Sequence, residues 1–273
     1  CKSFDKNKHS DMPSQFESMV RDSLLEDTYI FHIPHSGNKI PDFEQYVLTQ
    51  EEVMQEHSLL TDRGTDEIFK TKFTSLVFPY SRVYCDVERL PDDQEEMFKK
   101  GRGFYYTKTD AGKELRRLND KEKIKQIYDQ WHLQLEAAVE KKLNDFGSAT
   151  IIDCHSFSDK PFLTDHDQNE NRPDFCLGTD DFHTPYFLVN FIKKRLENEG
   201  FSVKINSPYT GTIVPLKFYE TNGNVQSIMI EINRKLFQVE DALLPEKVTR
   251  INKIMNNIFL NSNYKTEPKK PQK

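Results

Sequence analysis

The run TYIFHIPHSG (residues 28–37) decides the fold. Its first six residues are dense in aromatic and β-branched side chains, which suit a buried, pleated strand. Pro34 cannot extend a strand ladder, and Ser36 and Gly37 provide a turn. The result is a strand that stops abruptly and delivers His35 just beyond its end. ATIIDCHS (149–156) repeats that pattern, with His155 at the polar end of an apolar run. SIMIEIN (227–233) is a third dense run, and it carries Glu231 inside it.

Working outward, FTSLVFP (73–79), RVYCDV (82–87), PDFCLG (173–178) and SVKIN (202–206) read as further strands. A helix is expected over 51–70, capped by Thr49 with Glu52 three residues on. Another covers 120–146, where Ile124, Ile127, Tyr128, Trp131, Leu135, Ala138, Val139 and Leu143 recur at helical spacing. Two more are expected over about 184–199 and 241–260. Residues 91–118 lack periodicity, carry Gly101, Gly103 and Gly112, and suit a long excursion over the active face. Strands alternating with helices predict an α/β fold of three layers (α/β/α). Its central sheet should be mixed but mostly parallel, with helices on both faces. The expected organisation is a loosely attached lead-in with one short helix (1–27), a single domain (28–262) and a polar tail (263–273).

With 30% charged and 36% hydrophobic residues in 273, the chain has the composition of a folded domain. Its net charge of −6 gives no basic excess, so a nucleic-acid partner is not expected. The four cysteines (Cys1, Cys85, Cys154 and Cys176) include no C-x-x-C pair. Three of them sit in or beside apolar runs and read as buried free thiols. No apolar stretch reaches the roughly 20 residues of a membrane span. A cytoplasmic protein is therefore expected, or a lipid-anchored or exported one if Cys1 is a processed N-terminus.

In sheets of this kind ligands bind beyond the carboxyl ends of the strands. His35 and His155 at two such ends suggest zinc ligands, with Asp62 or Asp66 of LLTDRGTD (59–66) as a third. Read singly, each histidine is more simply a hydrogen-bonded structural residue. Glu231 inside an apolar strand is costly unless paired or functional. It is either a general base or a buried partner of Arg234. Arg82 and Arg89 flank VYCDV and either clamp a carboxylate or pair with Asp86 or Glu88. Serine chemistry has no support, because PHSG lacks the G-x-S-x-G elbow. Cys154 and His155 face opposite sides of their strand, so they form no dyad.

Taken together, these segments resemble a known family. IPHSG (33–37) followed by Ile40-Pro41, LLTDRGTD (59–66) and SRVYCDVERLPDD (81–93) are similar to three motifs of the N-formylglutamate amidohydrolases. IIDCHSF (151–157), PDFCLGT (173–179), INSPYTGTIV (205–214) and SIMIEINRKLF (227–237) resemble four more, in the same order. The resemblance implies a fold like that of the zinc carboxypeptidases. It implies His35, Asp62 and His155 as ligands of one divalent metal, expected to be zinc, with Asp153 orienting a ligand. It implies Glu231 as general base and Arg89 as the carboxylate clamp, with Arg82, Asn206 and Arg234 as further substrate contacts. The implied activity is hydrolysis of the linear amide of an N-acyl amino acid such as N-formylglutamate. The partner is then a small amide bearing a carboxylate.

The sequence also departs from the family pattern. Glu88 replaces an Asn, Thr210 replaces the first Gly of a pair, and Thr212 stands where some members have His. Three other readings remain at this point: a peptidase, a cell-wall amidase on the same scaffold, or a non-catalytic small-molecule binding protein.

Overall fold

The computed structural model describes residues 28–91, 96–117 and 121–260. The expected lead-in (1–27), the tail (263–273) and Cys1 lie outside the described residues.

Six strands form the central sheet: β1 (Tyr29–Ile33), β2 (Thr74–Val77), β3 (Ala149–Phe157), β4 (Phe175–Gly178), β5 (Val203–Ile205) and β6 (Val225–Asn233). Their spatial order is β2-β1-β3-β6-β4-β5. The first four in that order are mutually parallel, and β4 meets β6 antiparallel while pairing parallel with β5. The sheet is therefore mixed and mostly parallel, as expected.

Strand alternation sorts the side chains onto two faces. On one face Phe31, Ile152, Cys154, Ile228, Ile230 and Ile232 pack against α4 (Tyr186–Asn198) and α5 (Pro245–Leu260). On the other, Ile30 and Ile151 meet Leu135 and Val139 of α3 (Lys121–Phe146). The second face carries the polar residues: His32 on β1, Asp153 and His155 on β3, Glu231 on β6. The three cysteines within the described residues are buried free thiols.

Two segments differ from expectation, and both differences build the site. The 51–70 helix breaks into α1 (Gln50–Leu60) and α2 (Thr65–Ile68). Thr61 is extended and Gly64 has φ +82, a conformation that side chains resist. Between the two helices the Asp62 N–H donates to the His35 carbonyl at 3.0 Å, which turns Asp62 inward.

Residues 82–87 are not a strand. They form turns, although Val83 to Val87 are all buried. A buried backbone must still satisfy its polar groups. Here no neighbouring strand does so. The Arg116 guanidinium donates to the carbonyls of Val83 and Tyr84 at 3.0 and 3.1 Å, and the Asp86 N–H donates to Phe104 at 2.7 Å. An apolar run read as a strand is thus held by a distant arginine instead.

Gly37 is set by close approach. A Cβ there would lie 2.4 Å from the Phe78 carbonyl oxygen and 2.6 Å from that of Tyr80. All the obstructing atoms are backbone, so neither partner can rotate away. Gly37→Ala is expected to cost about 1–3 kcal/mol of stability through overpacking, read by denaturant unfolding. An unchanged midpoint would mean the turn has slack.

Candidate active site

Three donor atoms converge at the carboxyl-terminal ends of β1 and β3, with His155 still within β3. His35 Nδ1 lies 3.2 Å from His155 Nδ1, which lies 3.2 Å from Asp62 Oδ2. The remaining edge, His35 Nδ1 to Asp62 Oδ2, is 3.7 Å. A tetrahedral metal with bonds of about 2.0–2.1 Å holds its ligands about 3.3–3.4 Å apart, so the triangle is the right size for one. All three side chains are buried.

The hydrogen bonds around the triangle fix its protons. His35 Nε2 faces Asp86 Oδ1 at 2.8 Å, and His155 Nε2 faces Asp153 Oδ1 at 3.1 Å. A carboxylate accepts only, so each Nε2 carries the hydrogen. In the neutral rings each Nδ1 is then a bare lone pair. Two lone pairs and a carboxylate oxygen pointing at one spot repel unless positive charge sits among them. A metal ion answers that need, and so does a proton. Burial alone lowers the proton affinity of His155, but the adjoining Asp153 and Asp62 outweigh it and hold the ring well above the usual histidine range. Burial likewise opposes ionisation of Asp62, while hydrogen bonds from His155 and His35 push it well below the usual carboxylate range.

A second cluster, His32 with Glu88 and Asp153, sits alongside. His32 Nδ1 is 3.0 Å from Asp153 and 3.2 Å from Glu88. Against the opposing effect of burial, those carboxylates hold a hydrogen on Nδ1. A second proton would have to sit on Nε2, which already faces the Trp131 indole N–H at 3.0 Å. That group can only donate, so the geometry keeps His32 neutral with its hydrogen on Nδ1. His32 thus supports Asp153 as a donor and has no lone pair on that side for a metal.

Glu231 pairs in register with His155 across β3 and β6, so the two side chains share a face. Its Oε2 is buried and has no hydrogen-bond partner. Burial pushes its carboxyl up to about 8. The alternative ion pair with Arg234 does not form. Arg234 instead donates to Asp62 Oδ1 at 2.9 Å, Ser156 Oγ at 3.1 Å and the Leu59 carbonyl at 2.8 Å.

Around this centre lies a cleft of about 1080 Å³. Arg82, Arg89 and Arg234 line it, as do Met97 and Arg102 from the expected excursion. Arg82 is held against Asp86 Oδ2 at 3.0 Å and the Tyr106 hydroxyl at 3.1 Å. Arg89 is the most exposed of the three lining arginines that meet the acidic centre, and its Nε lies 3.8 Å from Asp86. Asn206 is not brought to the cleft. It has φ +54, and its side chain bonds Thr179 on the far side of the β4–β5 edge.

The sequence reading named Asp86 only as a possible partner for arginine, yet it orients His35. It missed His32, Trp131 and Tyr106 as supports. The signal for His32 was present: it lies three residues before His35 on a strand face shared with Asp153.

Residues 28–238 match the N-formylglutamate amidohydrolase family. The chain belongs to that family. Among solved structures, N-formylglutamate amidohydrolase from Ralstonia eutropha JMP134 superposes with a TM-score of 0.72 at 23% identity. That match covers 85% of this chain and 91% of that one. A gene product of Agrobacterium tumefaciens superposes with a TM-score of 0.60 at 15% identity, over 88% of this chain and 93% of that one. At these identities the likeness is one of fold. No curated protein gives a significant match. Among the described residues, no helix is long and apolar enough to cross a membrane.

The carboxylates behind the histidines have a measurable consequence. Asp153→Asn keeps an acceptor for His155 but removes its charge. Zinc affinity is expected to fall about 10- to 100-fold in competition titrations. An unchanged affinity would separate Asp153 from the metal.

Proposed function

We propose that this protein is a metal-dependent amidohydrolase. Its substrate is an N-acyl amino acid, with N-formylglutamate as the family's reference compound. The observation that carries the reading is Glu231. It is a buried carboxylate with an orphaned Oε2, in register with one of three converging donors. A structural carboxylate in that position would have found a partner.

His35, Asp62 and His155 are the residues that would hold the metal, and zinc suits two imidazoles and one carboxylate. When bound, such an ion supplies Lewis-acid activation of water and of the amide carbonyl. The chain's own residues do the remaining work. Glu231 Oε2 accepts a proton from the attacking water as the water oxygen bonds to the amide carbon, and delivers that proton to the nitrogen as the C–N bond breaks. The products are a carboxylic acid and a free amine. A pKa raised to about 8 before any cation binds suits a group that must both take and return a proton.

Arg89 is the clamp for the substrate carboxylate in this reading. Arg82 and Arg234 line the same cleft, but their donors are directed to Asp86 and Asp62, so they hold the ligand set in place. Asp86 and Asp153 fix the imidazoles with Nδ1 facing inward.

Two variants test this. Glu231→Gln is expected to lower kcat by about 10²–10⁴ with zinc content and thermal unfolding little changed, since Arg234 keeps its own partner. Full activity in a folded, metal-loaded variant refutes the base. Arg89→Lys is expected to raise KM for carboxylate substrates roughly tenfold, because an ammonium cannot make the paired contact. A substrate amidated at its carboxylate should show no such penalty. If both substrates respond alike, Arg89 is structural.

A further inference from the structure

Helix α3 ties down the backbone that carries the proposed clamp, at three successive residues. The His132 Nε2–H donates to the Val87 carbonyl at 2.9 Å, and the Tyr128 hydroxyl donates to the Arg89 carbonyl at 2.8 Å. Between them, Glu88 Oε1 lies 3.2 Å from His32 Nδ1, and the Trp131 indole N–H donates to the other nitrogen of that ring at 3.0 Å. Tyr128, Trp131 and His132 are three and four positions apart, so they share one face of the helix.

Residues 87–89 need such support. They lie in turns and belong to no strand, so no ladder fixes them. The stretch begins at Asp86, whose Oδ1 accepts from His35 Nε2 at 2.8 Å and from the Glu88 N–H at 3.0 Å. The residue that orients His35 and the residue proposed to clamp the substrate carboxylate are thus three positions apart on one irregular strip of backbone. Arginine has a long side chain with many rotamers. It presents its fork at a set distance from the histidines only if its backbone is held. The Tyr128 ring packs with Phe104 and Trp131, which a phenylalanine would also do, so packing leaves the hydroxyl unexplained.

We propose that Tyr128 and His132 are positioning residues for substrate recognition. Their two hydrogen bonds hold the backbone from which Arg89 meets the substrate carboxylate, and so set its distance from the converging donors. The inference rests on the amidohydrolase reading above, with Arg89 as clamp and N-formylglutamate as substrate. Neither side chain moves a proton in that reading. Their loss weakens the grip on the carboxylate and leaves the chemistry at the amide as it was.

The test compares N-formylglutamate with its diamide, in which both carboxylates are amidated, on the zinc-loaded full chain. Tyr128→Phe and His132→Leu are each expected to raise KM for N-formylglutamate about three- to tenfold, with kcat changed by less than about twofold. His132→Gln keeps an N–H donor there and should restore the wild-type KM. The diamide should respond to none of these variants. In an Arg89→Lys background Tyr128→Phe should add little, because a clamp already lost has no position to lose. Calorimetric binding of N-formylglutamate to Glu231→Gln, with and without Tyr128→Phe, reads the same loss without turnover. Weaker binding there with no cleavage by the wild type supports the positioning role, and the hydrolase reading then fails alone. An unchanged KM in both variants, with N-formylglutamate still cleaved, overturns the inference alone. An equal penalty on both substrates, or full additivity with Arg89→Lys, also overturns it and makes the two residues structural.

Discussion

Two imidazole lone pairs and a carboxylate oxygen point at one another across 3.2–3.7 Å with no hydrogen between them in the neutral state. Much of the polar structure around the cleft follows from keeping that arrangement in place. Four carboxylates, Asp62, Asp86, Asp153 and Glu231, are buried within this one region. Arg82 and Arg234 offset part of their charge. Trp131 fixes the tautomer of His32, His32 supports Asp153, and Asp153 fixes the tautomer of His155. This chain of hydrogen bonds runs from α3 through β1 to β3, so the helix layer and the site are joined by hydrogen bonds as well as by packing. A buried network of this kind is stable only when each member is satisfied. Among the described residues Glu231 Oε2 is left without a hydrogen-bond partner. Positive charge among the three donors would draw its carboxyl down from about 8 and couple its proton to the state of the site.

Much of the architecture was legible because β1, β3 and β6 are buried on both faces and so read as dense apolar runs. β1, β3 and β6 fall where TYIFHI, ATIIDCHS and SIMIEIN place them. The polar residues inside those runs were visible for the same reason, since a charge in an apolar strand has no cheap explanation. RVYCDV failed by the same logic. Its residues are as buried as a strand's, but Arg116, 30 or so positions away in sequence, supplies the hydrogen bonds that a neighbouring strand would have given. Side chain to backbone support across that distance leaves no periodic trace. The break after α1 was partly written in Gly64, whereas the inward turn of Asp62 depends on the His35 carbonyl, which only the fold brings near.

The departures from the family pattern now have locations. Glu88 lines the cleft beside Arg89 and contacts His32, so it adds negative charge near the proposed clamp. Thr212 hydrogen-bonds Ser227 at 2.7 Å, and Thr210 lines the cleft. A histidine at position 212 would reach further into the cleft and could donate to a substrate. Threonine there instead ties its segment to β6. The substitutions therefore lie along the walls, while the three converging donors and Glu231 are in place.

One segment serves both the donors and the cleft. Residues 209–216 pass so close to β4 that a Cβ on Gly178 would sit 2.3 Å from the Gly211 carbonyl oxygen. From there the same few residues give a backbone N–H to Asp153 and apolar side chains to the cleft. A change that moves this backbone also moves a donor to the carboxylate that orients His155. A change that alters only an exposed side chain, such as Leu216, leaves that donor where it is. The cleft lining can therefore change through its side chains at little cost to the three converging donors. Insertions or glycine replacements in the segment affect both together.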